Sequence, residues 1–245
     1  MAGIAVTAFI LFLIGLPVGV ALDALAARLA VPEPEADRPV EAPAEKAPSA
    51  KHPGLAAESG ALALPVATHQ WRRAAIVAAT AGLFAAAGAR YQDPSHLALV
   101  TAYIAVLTVC AATDVLAYRV PNVVTYPAML LAVIAGALMP EADLLRVMGG
   151  GALAGGILLA PALVTRGQGL GMGDVKLAVF VGLALGLSLT LPALLLMALS
   201  GGAAAAALLL TGRRHRGDPI PYAPFISLGA LTILLWQGAA FYSFT

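Results

Sequence analysis

Long apolar runs recur along most of this chain and constrain its fold more than any other feature. They fall at about residues 2–22, 74–89, 97–113, 122–139, 147–165, 174–187, 189–211 and 223–243. Such runs approach the roughly twenty residues that a helix needs to cross a bilayer. We therefore expect an all-α fold, a polytopic transmembrane helical bundle of about eight helices. The sixth and seventh runs are the least distinct, because little more than Ser188 separates them and Pro192 could instead mark a kink.

The composition supports lipid as the surroundings of the chain and excludes nucleic acid as a partner. Hydrophobic residues make up 60% of the chain and charged residues 11%, whereas soluble domains are about a quarter charged. The net charge of +1 and the 6% of aromatic residues offer neither attraction nor stacking surface to nucleic acid. The single cysteine, Cys110, can form neither an internal disulfide nor a multi-cysteine metal site, so we expect no bound metal.

The apolar pattern predicts three parts: a first transmembrane helix in residues 1–30, a linker in residues 31–72 and a transmembrane core in residues 73–245. The linker is rich in Pro, Ala and Glu and has too little apolar content to form a core. Because no Lys or Arg precedes Arg28, we predict a retained first helix and no cleaved signal peptide. Placing the N-terminus outside leaves only Arg90 and Arg146, of the 14 Lys and Arg residues, on the outer side. The positive-inside rule then predicts a cytoplasmic linker and both termini outside the inner membrane.

Three carboxylates lie within or at the edge of apolar runs, where an acid is costly and therefore a candidate functional group. Asp23 is expected to reach the interface beside Arg28. Asp114 ends the third run, where a helix C-terminus disfavours an anion, and pairing with Arg119 is a structural alternative despite a poor spacing. Pro121 is expected to end that helix and reset the chain for the next one.

Asp174 follows a glycine-rich loop at the start of the sixth run. It could simply cap that helix, because Asp is favoured at helix N-termini. Gly171 and Gly173 could instead permit a backbone conformation that lets a substrate come close to the acid. The predicted orientation places Asp114 and Asp174 on the same membrane face. Two carboxylates that meet there could share a proton, an arrangement suited to peptide hydrolysis.

The sequences around both acids resemble the type IV prepilin peptidases and the related preflagellin peptidases, which are GxGD intramembrane aspartyl proteases. TDVLAYRVPN at 113–122 is similar to the family's first aspartate segment, and GMGDVKL at 171–177 is similar to its GxGDxKL segment. IPYAPF at 220–225 resembles the Pro-Phe-Gly-Pro-Phe stretch before the last helix. The resemblance covers about residues 97–243.

The resemblance implies an aspartic endopeptidase that needs no cofactor and has Asp114 and Asp174 as catalytic residues. Its substrates would be prepilin-like membrane proteins of type IV pili or type II secretion, whose short basic leader is cut off at the cytoplasmic face. It also implies a supporting or substrate-binding role for a further set of residues near the acids: Gly171, Gly173, Lys176, Arg119, Pro121 and Asn122. For Lys176 and Arg119 we expect interfacial anchoring or charge pairing with the acids.

Two features leave alternatives open. Bifunctional members of the family carry paired CxxC zinc ligands after the first helix, and the cysteine-free linker here argues against N-methyltransferase activity. A non-catalytic membrane subunit of a pilus or secretion system would keep the acids only as pairing or capping groups. A proton-coupled transporter could also use membrane carboxylates, although the sequence shows no convincing internal repeat.

Overall fold

The computed structural model describes residues 2–30, 66–139, 142–164, 170–212 and 220–237. Its elements over these ranges are all helical: α1 (Ala2–Leu29), α2 (Val66–Arg90), α3 (Pro94–Ala117), α4 (Asn122–Leu138), α5 (Leu144–Val164), α6 (Met172–Leu210) and α7 (Ala223–Gln237). The predicted all-α class is confirmed. The count of about eight helices is not, because the described ranges hold seven. The predicted linker lies outside these ranges up to residue 65, and its last residues belong to α2.

Four of these helices, α1 from Gly3 onward, α3, α5 and α6, are long and apolar enough to cross a membrane, and α4 and α7 are shorter apolar helices. In lipid, helices associate through close van der Waals contact, which small residues permit. A β-carbon on Gly15 of α1 would lie 2.6 Å from the Ala81 Cα of α2. Gly150 of α5 and Gly182 of α6 meet backbone to backbone in the same way. The chain is therefore a multi-pass membrane protein with glycine-mediated helix contacts.

Helix α6 reverses direction at Gly186. A straight helix of its 39 residues would be about 58 Å long, nearly twice the hydrocarbon thickness. The backbone at Gly186 has φ 69° and ψ 173°, a conformation that is essentially restricted to glycine. The Thr190 hydroxyl donates to the Gly186 carbonyl at 2.7 Å, which ties the first turn of the following segment to the break.

The contacts of the two limbs of α6 show the reversal. Limb 172–185 carries Asp174 in its first turn and packs along α5, whereas limb 187–210 packs along α7 with Ala193 at Gly229 and Gly201 at Phe225. Since Phe225 is close to the start of α7, the second limb runs back toward the end of the bundle that holds Asp174. The two limbs occupy the predicted sixth and seventh runs, and the break lies at Gly186, before both Ser188 and Pro192.

The helix ends form two distinct layers. At one end, which we call the site end, α1 and α3 finish while α4, α6 and α7 begin. As predicted, α3 stops before Pro121, and α4 starts directly after it. At the opposite end, the Arg90 Nε donates to the Leu235 carbonyl at 2.9 Å and the Tyr91 hydroxyl to the Leu234 carbonyl at 2.7 Å. These bonds satisfy carbonyls in the last turn of α7.

Candidate active site

Asp114 connects the end of α3 to the start of α7. Its side chain is buried, with 5% of the residue exposed, and its Oδ2 accepts a hydrogen bond from the Ala223 backbone N–H at 2.9 Å. The free N–H groups and positive end of α7 offset the unfavourable position of an anion at the C-terminus of α3. The alternative pairing with Arg119 is not found among the ion pairs of the described residues. The acid at this position is therefore explained by its hydrogen bond to the start of α7, 109 residues later in the chain.

Asp174 has two oxygens in different situations. Its Oδ2 accepts from the Gly171 backbone N–H at 3.2 Å, so this oxygen does hold the start of α6. It does so from the third residue of the helix, whereas the N-cap position is taken by Gly171. Its Oδ1 is buried, and no hydrogen-bond donor in the described part of the chain reaches it. One oxygen is therefore structural, and the other is available to a molecule in the site.

Both aspartates line a single cavity of ≈ 590 Å³ at the site end. The remaining walls come from the end of α1, the connection between α3 and α4, and the start of α6: Leu29, Tyr118, Arg119, Val120, Pro121, Asn122, Val123, Gly171, Met172, Gly173 and Lys176. All the supporting residues predicted from the sequence are thus around the same cavity as the two acids.

Lys176 joins the start of α6 to the start of α4. Its Nζ donates to the Asn122 Oδ1 at 3.0 Å and lies 5.2 Å from the centroid of the Tyr126 ring, within range of a cation–π interaction. In the described residues Lys176 forms no ion pair with either aspartate. Its contacts with Asn122 and Tyr126 connect the start of α6 to the start of α4.

The glycines and the proline of the two motifs have different tasks. Gly171 has φ −74° and ψ 153°, which any residue can adopt, so the expected special conformation is not present there. A β-carbon on Gly173 would lie 3.1 Å from the Val120 Cβ, so this glycine permits close contact between the two aspartate segments. The Pro121 carbonyl accepts from the N–H groups of Val124 and Thr125 in the first turn of α4.

Tyr118 and the Ala223 backbone are parts of the site that sequence reasoning missed. Tyr118 follows the last residue of α3 in the left-handed conformation, with φ 51° and ψ 41°, which costs a non-glycine residue roughly 1–2 kcal/mol. The sequence did contain a signal for Ala223. The position of Asp114 at the end of its own helix was unexplained, and the start of the last helix, flanked by prolines, matched the family's third motif. Arg119 lies exposed at the cavity wall.

Asp23 is not placed as expected. Its Oδ1 lies 3.3 Å from the Arg72 Nε of α2, and the residue is 6% exposed. The predicted position beside Arg28 at the interface is therefore wrong. The acid is buried and pairs with Arg72, a residue of another helix that is far away in the sequence.

Comparison with known proteins agrees with the motifs. Residues 101–206 match the model of the type IV leader peptidase family. A prepilin leader peptidase/N-methyltransferase of Bacillus subtilis is 35% identical over 159 residues, which cover 64% of this chain and 63% of that relative. A protein of the same name from Aeromonas hydrophila is 35% identical over 91 residues, covering 35% of this chain and 31% of the relative.

The chain thus spans less than two thirds of the length of these relatives. No solved structure matches it at a significant level. The matched segment contains both aspartates and most of the cavity wall. Residues 101–206, which contain both aspartate motifs, thus match the type IV leader peptidase family, and the resemblance inferred from these two motifs is confirmed.

Proposed function

We propose that this chain is a prepilin leader peptidase, an aspartic endopeptidase of the inner membrane in which Asp114 and Asp174 are the catalytic pair. The observation that carries the proposal is that two buried aspartates from different helices line one cavity, with Asp174 Oδ1 free of donors in the described residues. The names of the relatives supply the substrate class, prepilin-like proteins that carry a leader. The proposal does not extend to the N-methyltransferase activity in those names, because the linker has no cysteine pairs.

The chemistry requires one carboxylate to be ionised and the other protonated, a state that two neighbouring acids favour. The ionised carboxylate takes a proton from water as the water oxygen bonds to the scissile carbonyl carbon. The protonated carboxyl donates its proton to the carbonyl oxygen. The C–N bond then breaks as the leaving nitrogen receives the proton that came from water, and the carbonyl re-forms as the diol returns its proton to the second carboxylate.

The distribution of positive charge supports cleavage at the cytoplasmic face. The described cations near the site end are Arg28, Arg72, Arg73, Arg119 and Lys176, whereas Arg90 and Arg146 lie toward the other end. Because cytoplasmic loops carry an excess of Lys and Arg, the cavity is assigned to the cytoplasmic side.

A non-catalytic membrane subunit is the second candidate, and one observation favours it. Each aspartate has a structural task, Asp114 at the start of α7 and Asp174 at the start of α6. Helix capping alone could therefore explain both acids.

Replacement by Asn separates the two candidates, because Asn keeps an oxygen that can accept from the Ala223 or Gly171 N–H but cannot exchange a proton. We expect Asp114→Asn and Asp174→Asn each to lower leader removal by roughly 10³-fold or more, and the double variant to be scarcely worse, since the two acids act as one unit. The measurement is the mass of a co-expressed prepilin-like substrate, in membranes with matched levels of each variant.

Asp143 provides the matched control. Its Oδ1 accepts from the Leu145 N–H at the start of α5, and it lies exposed, away from the cavity. Asp143→Asn should cleave like the wild type. If Asp174→Asn also cleaves nearly normally, capping is its only role and the aspartic mechanism is lost.

Membrane orientation is a separate prediction. A cysteine placed at Met172, which is 53% exposed beside Asp174, should react with a membrane-impermeant thiol reagent only from the cytoplasmic side. A cysteine at Leu145, 80% exposed toward the other end, should react only from outside. The native Cys110 is buried and gives little background. Reaction at position 172 in intact cells would overturn the assigned face.

A further inference from the structure

A buried ion pair joins α1 to α2 near the site end and has no part in the proposed chemistry. The Asp23 Oδ1 lies 3.3 Å from the Arg72 Nε, and the two side chains are 9% and 20% exposed. Within the described residues, the Asp23 Oδ1 accepts no hydrogen bond. Taking two charges out of water costs free energy that their attraction often does not return, so a buried pair is weak evidence for stability. The pair therefore needs an explanation other than stability.

The contact between α1 and α2 is built from small residues. A β-carbon on Gly15 would lie 2.6 Å from the Ala81 Cα, and one on Gly19 would lie 2.8 Å from the Val77 Cα. Asp23 follows at the same four-residue spacing and therefore lies on the same face of α1. Each step of four residues forward in α1 meets a step of four back in α2, so the two helices are antiparallel. Sliding α1 by one turn, about 6 Å, would bring Gly19 to Ala81, another small residue.

Asp23 distinguishes these two registers. After the same slide it would lie at Val77, away from Arg72, and a buried carboxylate that loses its partner is strongly destabilising. A single polar residue in an otherwise apolar helix contact fixes register in coiled coils by this effect. The contact with α2 matters for α1, because only 11% of its apolar span is buried in the bundle.

The register of α1 also affects the candidate active site. The helix ends at Leu29, six residues after Asp23, and Leu29 borders the cavity that holds Asp114 and Asp174. A slide of one turn would withdraw this end of α1 toward the far end by about 6 Å. Functional sites require their parts within about 0.5 Å of the productive geometry. A change of register would therefore remove the α1 wall of the cavity.

We propose that Asp23 and Arg72 are positioning residues, whose ion pair fixes the register of α1 against α2 and thereby places the end of α1 at the catalytic cavity. The consequence for cleavage rests on the proposed peptidase function, whereas the register itself does not. Neither side chain touches the reacting atoms. The pair acts through the position of a helix.

The test compares the wild type with two double variants in detergent. Asp23→Leu with Arg72→Met removes both charges and leaves no unpaired charge behind, so the unfolding midpoint should stay close to that of the wild type. Asp23→Arg with Arg72→Asp restores the attraction with the charges exchanged. The register is measured as the distance between spin labels on Arg28→Cys and Leu138→Cys, which are exposed at opposite ends of the bundle. The native Cys110 is buried.

We expect one distance population in the wild type and in the exchanged pair. The apolar pair should add a second population that is shorter by about 6 Å, with KM for a prepilin-like substrate raised roughly tenfold and kcat within about threefold of normal. An exposed ion pair on α5, with the Arg146 Nε 3.5 Å from the Asp143 Oδ2, provides the matched control. Asp143→Leu with Arg146→Met should change neither the distance nor KM.

Two results would overturn the inference and leave the peptidase proposal intact. A single, unchanged distance in the apolar pair would show that the small residues fix the register without the charges. A second population of equal size in the exchanged pair would show that the attraction between the charges does not fix it. The converse case is also distinguishable: a second population in the apolar pair alone, with no cleavage even by the wild type, would support the register assignment and overturn the proposed function.

Discussion

At both ends of the helical bundle, polar side chains form hydrogen bonds with helix termini. The two ends differ in the polar atoms that these side chains leave without a partner. At the far end, the Arg90 and Tyr91 side chains donate to carbonyls of α7, and α6 turns at Gly186 against Gly150. At the site end, Asp114 accepts from the start of α7 and Asp174 from the N–H before α6, but Asp174 Oδ1 has no donor in the described residues. Polar side chains close helix termini at both ends, and at the site end two buried carboxylates also line a cavity.

This difference suggests a division of labour between packing and chemistry. Close glycine contacts toward the far end hold the helices at a fixed spacing. The site end keeps two costly buried carboxylates that a stability optimum would avoid, as functional sites commonly do. Substitutions can test this division. A change in the packed region should lower the stability of the fold, whereas a change at the cavity should lower the rate of cleavage before it affects stability.

The largest effect is expected from Gly182→Ala in the packed region between α5 and α6. A β-carbon at this position would overlap the Gly150 carbonyl oxygen, and backbone cannot move aside as a flexible side chain can. We expect a loss of about 3 kcal/mol in the free energy of unfolding, seen as a lower midpoint in thermal unfolding of the detergent-solubilised protein, with less protein in the membrane.

Gly156→Ala is the matched control on α5, because a β-carbon there would meet nothing within 4 Å. Alanine at an open helical position should raise stability by up to about 1 kcal/mol relative to glycine. Equal midpoints for the two variants would mean that the α5–α6 contact contributes no rigidity, and the contrast between the two ends would fail.

Local rules predicted much of this architecture. Apolar run length gave the all-α class, and Pro121 marked the boundary between α3 and α4. The sequence pattern separates the two limbs of α6 near Ser188, with a kink at Pro192 as the alternative. The break lies at Gly186, because the deciding factor is a backbone conformation that glycine alone tolerates.

The non-local contacts of the site could not be predicted from local patterns. The Asp114 bond to Ala223 joins residues 109 positions apart. The rule that a helix C-terminus disfavours an anion considers only the helix that carries Asp114, so it could not reveal this partner. The same limitation misplaced Asp23, which pairs with Arg72. By contrast, Lys176 and Asn122 were expected near the acids because each lies inside a motif that carries one of them, and both line the cavity.

A smaller effect, on cleavage and not on folding, is expected from Gly173→Ala at the site end. The new β-carbon would lie 3.1 Å from the Val120 Cβ, so the two aspartate segments must separate by a few tenths of an ångström. A misplacement of the two proposed catalytic groups on this scale should reduce kcat/KM roughly tenfold with little change in the unfolding midpoint.

Gly171→Ala is the comparison for that variant. Its β-carbon would meet Asp174 Oδ2 at 3.5 Å, an ordinary van der Waals contact, and its backbone conformation suits any residue. We expect kcat/KM to fall by no more than about threefold. A greater loss in Gly171→Ala than in Gly173→Ala would show that the open face of Gly171, and not the contact with Val120, is what the motif preserves.

The smallest effect is expected from the Lys176 tether, and it decides how the site-end cations act. If Lys176 only ties α6 to α4 through Asn122, then Lys176→Met and Asn122→Ala should each lower kcat/KM about threefold, and the double variant should equal either single one, since both remove the same bond. If the ammonium instead acts on the charge of the acids, only Lys176→Met should displace the pH profile of cleavage, because Asn122 carries no charge. The hydrogen bond at 3.0 Å and the ring at 5.2 Å favour the tether, so we expect the profiles of both single variants to superimpose on that of the wild type.

Tyr126→Phe keeps a ring beneath the ammonium and serves as the control, with cleavage expected within about twofold of normal. Additive losses, or a displaced profile in Lys176→Met alone, would contradict the tether and place Lys176 among the groups that set the charge of the catalytic pair.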